Sequence, residues 1–236
     1  MAFRPVFIPT PGAETLARTT PVDFKWFPGM SVAQKQRSID SLHAAAKEAM
    51  PDIGDILEVS SKSKEKLGVA LSAFNLSFTT LKQNLTMSVE CAFQGSKVFE
   101  RGGPYKDLFA KTSREAKLDD RIKSSGRLVK FSFYGANWDL EPRTAFYDWL
   151  YINALRKQSE DLIGELLSYS AFTDIEFNPE KSINCQAYSI ALFVSLYKQD
   201  LLDEALISKN SFLSIVGGAL VSSSSQSEDV QGDMLK

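Results

Sequence analysis

Apolar and polar residues change their rhythm several times along this chain, and each change marks an element. Up to about Gly29 the sequence is rich in proline and threonine and reads as extended, with Val6-Phe7-Ile8 a short strand. Ser31 then caps a helix that runs through Val32, Ile39, Leu42 and Ala46 to Met50, where Pro51 stops it. Ile56-Leu57-Glu58-Val59 reads as a strand, ending in the small, polar, basic loop Ser60-Ser61-Lys62-Ser63, which is able to hold an anion. Leu71 to Leu81 is ambiguous and is read as extended. Further on come a charged helix from Ser113 to about Ser125-Gly126 and an alternating strand at Val129–Phe133. Glu141-Pro142 opens a long aromatic helix, and Asp161–Tyr169 forms a shorter one. Phe172–Phe177 reads as a strand bearing alternating acids. A last helix from about Ser182 to Leu202 has Ile183, Ala187, Ile190, Ala191 and Val194 as its core face. The expected fold is a helix-rich α+β domain with a small sheet over residues 1–205, including an N-terminal extension. A serine-rich flexible tail is expected over 206–236.

The stretch Thr86 to Arg101 departs from the pattern of a solvent helix. Ser88 is a plausible N-cap, and the residues after it read as three to four helical turns. At about 100° per residue, Glu90, Gln94, Lys97 and Arg101 fall within an arc of roughly 60°. Cys91, Ala92, Gly95, Val98 and Phe99 make the flank apolar or small, and Phe93 and Ser96 extend it. A surface helix usually shows the opposite proportions. The pattern predicts a helix packed on most sides, with one polar stripe of acid, amide and amine. That stripe faces either solvent, as i,i+3 and i,i+4 pairs, or a cleft.

Composition narrows the chemistry. The chain of 236 residues is 44% hydrophobic and 24% charged, which suits one soluble domain with a sizeable core. No apolar run reaches the roughly 18–20 residues needed to span a bilayer, and the proline-broken N-terminus lacks a signal-peptide core. Two distant cysteines, Cys91 and Cys185, make a reduced cytoplasmic location the default. The only histidine, His43, sits mid-helix and reads as a packing or surface residue. A serine or cysteine triad and a His-ligated metal site are therefore hard to assemble, and proton transfer falls to carboxylates, lysine or tyrosine. From Lys97 to Lys130 ten basic residues face five acids, a local balance of +5. That is either a solvated face or a surface for phosphates or a nucleic acid strand.

Val89-Glu90-Cys91-Ala92-Phe93-Gln94-Gly95-Ser96-Lys97-Val98-Phe99 resembles the hallmark of the NADAR family: a Glu, then an aromatic-Gln pair, then Lys-Phe. Leu71-Ser72-Ala73-Phe74-Asn75 looks like that family's Ser-Asn-Phe element in altered order, and Asn137-Trp138-Asp139 is similar to a Trp-Asp preceding a long helix. The YbiA-like branch carries a Trp-Gly element near its C-terminus. Here Phe177-Asn178-Pro179-Glu180-Lys181-Ser182-Ile183-Asn184-Cys185-Gln186 stands instead. With Phe24-Lys25-Trp26-Phe27-Pro28-Gly29-Met30 and Ser31-Val32-Ala33-Gln34-Lys35-Gln36, this form resembles the branch found beside DarT-type toxins, which ADP-ribosylate guanine in DNA.

The resemblance implies an antitoxin that hydrolyses ADP-ribose from guanine in DNA, releasing ADP-ribose, without cofactor, metal or membrane partner. It places Glu90 and Lys97 at the catalytic centre. Glu90 would stabilise the oxocarbenium-like cation or activate water, and Lys97 would contact a phosphate or ribose oxygen or attack C1 to form a Schiff base. Expected substrate contacts are Gln94, Trp138, Asn75, Lys62, Tyr105, Asn184 and Gln186, with Trp138 either stacking on a base or serving as core before the helix. Two other readings stay open: an N-glycosidase on ribosylamino intermediates of riboflavin synthesis, and a non-catalytic protein that binds ADP-ribose or the toxin.

Overall fold

The computed structural model describes residues 2–81, 83–180 and 182–217. The extended opening is a hairpin of β1 (Ala2–Pro9) and β2 (Ala17–Phe24), in register from Ala2 opposite Phe24 to Pro9 opposite Ala17. Helix α1 (Val32–Ala49) begins at Ser31, whose hydroxyl accepts the Gln34 N–H at 3.3 Å, and it ends just before Pro51. Then follow β3 (Ile56–Glu58), α2 (Lys66–Ala70), β4 (Ser77–Thr79), β5 (Thr86–Ser88), α3 (Val89–Gly95) and β6 (Lys97–Phe99). A 3₁₀ turn at Lys106–Ala110 leads to α4 (Ser113–Leu118), α5 (Asp120–Ser124), β7 (Leu128–Phe133) and β8 (Ala136–Trp138). The chain continues through α6 (Ala145–Arg156), α7 (Glu160–Leu167), β9 (Ala171–Thr173), α8 (Gln186–Lys198) and α9 (Leu202–Leu206).

The fold is mixed α+β, with three small sheets among the described residues. The largest has the order β2-β1-β9-β3, antiparallel except for the parallel β3–β9 pair, and it lies between two helices. On one face α1 buries Ile39, Leu42 and Ala46 against Val6, Val22, Phe24, Ile56 and Ala171. On the other lies α8, in which Ala187 to Leu196 are all buried. A helix apolar on every side belongs in a core. It is tied to the hairpin by Ser195, whose hydroxyl donates to the Leu16 carbonyl at 2.5 Å and accepts the Thr10 N–H at 3.0 Å. The β6-β7-β8 sheet and α6 complete an aromatic core around Phe93, Phe131, Phe146 and Trp138. Each such ring, fully buried, contributes roughly 1.5–3 kcal/mol. Among the described residues no helix is long and apolar enough to cross a membrane.

Several expected boundaries move. The Leu71–Leu81 stretch is not extended throughout: it follows α2, turns, and becomes strand only at β4. The charged helix after Ser113 is two helices broken at Asp119, whose carboxylate caps the second. The strand at Phe172–Phe177 stops at Thr173, because the Asp174 side chain accepts the Glu176 and Phe177 N–H groups and closes a turn. Helix α8 starts at Gln186, leaving Ser182, Ile183 and Asn184 outside it; Ile183 is exposed rather than core. The packed chain also runs past Leu206. Residues 209–217 are helical, with Phe212 and Val216 buried, and the rest of the expected tail lies outside the described residues.

The largest correction concerns the Glu90 helix. Ser88 does cap it, accepting the Cys91 N–H at 3.1 Å, but α3 has only two turns. Its seven residues are all buried. Ser96 ends it by donating its hydroxyl to the Ala92 carbonyl at 2.6 Å, and Lys97-Val98-Phe99 then pairs with β7. At Gly95 a Cβ would lie 2.5 Å from the Phe109 ring, so only glycine lets the 3₁₀ turn pack so closely. Lys97 is therefore a strand residue. Arg101 leaves the stripe altogether and donates to the Ser124 carbonyl at 2.9 Å.

Candidate functional site

A cleft of about 770 Å³ opens where α3, β6, α6, the loop after β3, the turn after β9 and the segment before α8 converge. Glu90 comes from the first turn of α3 and is 7% exposed. Its Oε1 accepts the Gln94 Nε2 at 2.9 Å, an i,i+4 contact that fixes both side chains. The other amide atom, Gln94 Oε1, is buried in the cleft wall without a hydrogen-bond partner among the described residues. Lys97 enters from β6 with its ammonium 4.8 Å from the centre of the Phe93 ring. Burial lowers its pKa to about 8; the Glu90 carboxylate opposes that shift and Lys117 adds to it. The cleft thus holds a carboxylate, an unpaired amide oxygen and an amine close to its nucleophilic form.

Facing them is Asp174, also 7% exposed, from the turn after β9. Desolvation and the neighbouring Glu58 carboxylate raise its pKa to about 8. Glu58 is buried behind it at the end of β3, and its own pKa is raised by desolvation. Three donors hold Glu58: the hydroxyls of Ser60 at 2.6 Å and Thr173 at 2.7 Å, and the Ile175 N–H at 2.9 Å. Thr173 Oγ1 also lies 2.9 Å from His43 Nε2. Burial lowers the His43 pKa to about 4, so the ring is neutral and serves packing and this hydrogen bond. With three donors on Glu58, its carboxylate form is the better solvated, and the proton of the pair resides on Asp174, at the cleft surface.

The helix that carries Glu90 and Gln94, the strand that presents Lys97 and the Ser72–Phe74 turn beside them all fall within one larger match. Residues 2–226 match the family model described as the DarT1-associated NADAR antitoxin. The chain belongs to that family. Among curated proteins no match was found.

The remaining expected contacts of this NADAR chain divide into two groups. Lys62, Asn184 and Gln186 line the cleft with Glu90, Gln94 and Lys97. Asn184 Oδ1 is a second buried oxygen without a hydrogen-bond partner among the described residues. Gln186 is occupied by the fold: its Oε1 accepts the Ala73 N–H at 2.6 Å and its Nε2 donates to the Val59 carbonyl at 2.5 Å. It clamps two cleft walls together. Trp138, Asn75 and Tyr105 do not line the cleft. Trp138 is 2% exposed and packs on Phe146, Trp149 and Phe212, so it backs the site through the Phe146 ring behind Phe93. Asn75 is exposed and donates to the Val69 carbonyl at 2.8 Å. Tyr105 bonds the Ser125 hydroxyl beneath the Arg121 guanidinium.

Sequence reasoning missed Asp174, which it read as one acid of an alternating strand, and Glu58, hidden in a strand of hydrophobic neighbours. It also missed Phe74 and Phe177, two half-buried rings in the cleft wall and better placed to stack on a base than Trp138. The basic run from Lys97 to Lys130 contributes only Lys97 and Lys117 to the cleft. Elsewhere in it Arg121 binds Asp107 and Asp119, and Arg127 binds Glu100. Among the described residues no cluster of three His, Cys, Asp or Glu side chains is arranged to hold a metal ion.

Proposed function

We propose that this antitoxin-family protein is an ADP-ribosylhydrolase that cleaves the N-glycosidic bond between ADP-ribose and guanine in DNA, undoing the modification made by a DarT-type toxin. The observation that carries the reading is the shared cleft of Glu90, Lys97 and Asp174, which supplies a carboxylate, a near-neutral amine and a protonated acid. N-glycoside cleavage from a purine needs all three functions: charge stabilisation or base at C1, a nucleophile, and a proton for the leaving base. The unpaired oxygens of Gln94 and Asn184 await donors, which ribose hydroxyls and purine N–H groups provide. Lys62, within the Ser60–Ser63 loop, lines the same cleft and would meet a phosphate.

In this mechanism the neutral Lys97 amine attacks C1. As the C1–N bond to guanine breaks, its electron pair leaves on the base, which takes the Asp174 proton. A proton then passes from the attached lysine nitrogen to the ring oxygen, the C1–O bond opens, and a protonated Schiff base remains. Glu90 takes a proton from water as the oxygen adds to C1. The lysine nitrogen is next protonated by Glu90 and departs as a neutral amine. The hydroxyl proton returns to Asp174, leaving ADP-ribose as the aldehyde, which closes to the ring. All three groups end in their starting states.

Borohydride reduction during turnover of an ADP-ribosylated guanine oligonucleotide tests the covalent route. The expected result is a stable ADP-ribose adduct on the Lys97 peptide, absent in Lys97→Arg, which keeps the charge and loses the nucleophile. Turnover without any adduct at Lys97 would assign water activation to Glu90 alone and leave Lys97 a binding residue. Absence of turnover, with ADP-ribose still bound, would move the protein to the non-catalytic class.

A further inference from the structure

The hairpin and α1 form a second chemical surface, outside the cleft and reaching its rim. The connector after β2 places Trp26 and Phe27 side by side, and each ring carries two cations. Arg4 lies 5.3 Å and Lys35 4.9 Å from the Trp26 ring centre; Lys25 lies 5.2 Å and Arg37 4.2 Å from that of Phe27. The backbone beneath is held in place. Ser41 Oγ accepts the Lys25 N–H at 3.2 Å, and the buried Ser38 hydroxyl bonds Phe27 at both N–H (3.0 Å) and carbonyl (3.4 Å). Lys25 and Arg37 are exposed, and both rings are half-buried. Arg4 Nε is buried without a hydrogen-bond partner among the described residues.

The acids nearby are Asp23 on β2, two residues before Lys25, Asp40 on α1, and Glu176 and Glu180 after β9. Glu176, which lines the cleft, pairs with Lys35 at 2.9 Å, and Arg4 feels Asp174, Glu176 and Glu180. Asp40 on α1 is taken by Lys64 at 2.6 Å. The strip therefore presents a net positive charge interleaved with two flat aromatic faces, and the Lys35–Glu176 pair joins it to the cleft mouth. We infer that this strip binds the single-stranded nucleic acid flanking the modified guanine. Phosphates complement the exposed Lys25 and Arg37, and an unstacked base can lie on Trp26 or Phe27 in place of a cation now there. A paired base offers no free face for this. The cleft, too, takes one extruded nucleotide with its adduct rather than a duplex. The strip adds a cationic surface to the run from Lys97 to Lys130, of which only Lys97 and Lys117 line the cleft.

This inference deepens the hydrolase reading and rests on it for the identity of the modified base, so the test separates the two. Binding of the full chain to an unmodified, fluorescently labelled single-stranded oligonucleotide is measured by anisotropy across a salt series. Lys25→Glu/Arg37→Glu, two exposed positions outside the cleft, is compared with wild type. The expected result is at least tenfold weaker binding at low salt. The slope of log Kd against log salt should fall by about 1.4, two phosphate contacts at about 0.7 each. In parallel, turnover of ADP-ribosylated guanosine monophosphate should be unchanged in the variant, while KM for the modified oligonucleotide rises at least tenfold. Equal oligonucleotide affinity for the two proteins would overturn the inference. So would equal affinity combined with lost protection in toxin-expressing cells, which would assign the strip to a protein contact. If neither substrate turns over, the hydrolase reading falls while the anisotropy result still decides the strip.

Discussion

Asp148 offers a quantitative test of how the wall behind the cleft is built. It lies on α6, one residue after the cleft-lining Tyr147, and is fully buried against α8. Ser189 donates to its Oδ1 at 2.5 Å and the Thr144 side chain also favours the ionised form, while Oδ2 has no partner of good hydrogen-bond geometry among the described residues. Burial raises its pKa from 3.8 to about 7. The sign of the linkage follows directly. Well below pH 4 the carboxyl is protonated in both folded and unfolded chains, and its ionisation makes no difference to stability. Between about pH 4 and 7 the unfolded chain ionises and the folded one does not, so stability falls as pH rises; above about 7 the loss is complete. A difference of about 3 pKa units corresponds to about 4 kcal/mol at 1.36 kcal/mol each. Asp148→Asn removes the ionisation but leaves an amide N–H₂ where Oδ2 had no partner, a pH-independent cost of roughly 1–3 kcal/mol. The assay is urea unfolding of both proteins at pH 4, 6 and 8. The quantity of interest is the stability of the variant minus that of wild type, in which all other titrating groups cancel. It should rise by up to about 4 kcal/mol from pH 4 to 8, most of it before pH 7. A difference flat to within about 1 kcal/mol would refute the picture of a buried, poorly solvated carboxyl between α6 and α8.

Other consequences are open to measurement. Turnover should be bell-shaped around pH 8, rising as Lys97 loses its proton and falling as Asp174 loses its own. Asp174→Asn should lower kcat by roughly 10²-fold and abolish the falling limb. Gln186→Ala should cost about 2 kcal/mol in thermal or urea unfolding by freeing the Ala73 N–H and the Val59 carbonyl, and should raise KM as the two cleft walls part. Phe212→Ala should cost about 3–5 kcal/mol, since that ring is wholly buried against Trp138; a change near zero would mean that residues 209–217 do not pack.

Elements bounded by their own local chemistry were readable from the residues. The ends of α1 follow from Ser31 and Pro51, the start of α3 from Ser88, and β7 from strict alternation around Phe131. Glu90, Gln94 and Lys97 were found together for a reason that only half held. A helical arc grouped them, whereas the fold brings Lys97 back to the cleft on a strand after Ser96 and Gly95 end the helix. Seven-residue helices and three-residue strands hold too few positions for periodicity to distinguish them. Tertiary pairing decides, and Lys97 opposite Phe131 is tertiary. Asp174 and Glu58 were invisible for the same reason. Nothing local marks two acids more than a hundred residues apart as electrostatic neighbours. Trp138 was legible as a motif that could be core or stack on a base; the fold makes it core, against Phe146, Trp149 and Phe212, the last from a segment whose composition resembles a tail.

The central claim is catalysis at Glu90 on an ADP-ribosylated guanine. Its most direct test is incubation of a guanine-ADP-ribosylated DNA oligonucleotide with wild type and with Glu90→Gln, followed by mass analysis. Loss of the ADP-ribose mass with wild type, intact unmodified DNA as product, and persistence of the adduct with a folded Glu90→Gln protein are expected. Equal removal by both proteins would take Glu90 out of the chemistry, and an adduct left intact by wild type would contradict the hydrolase.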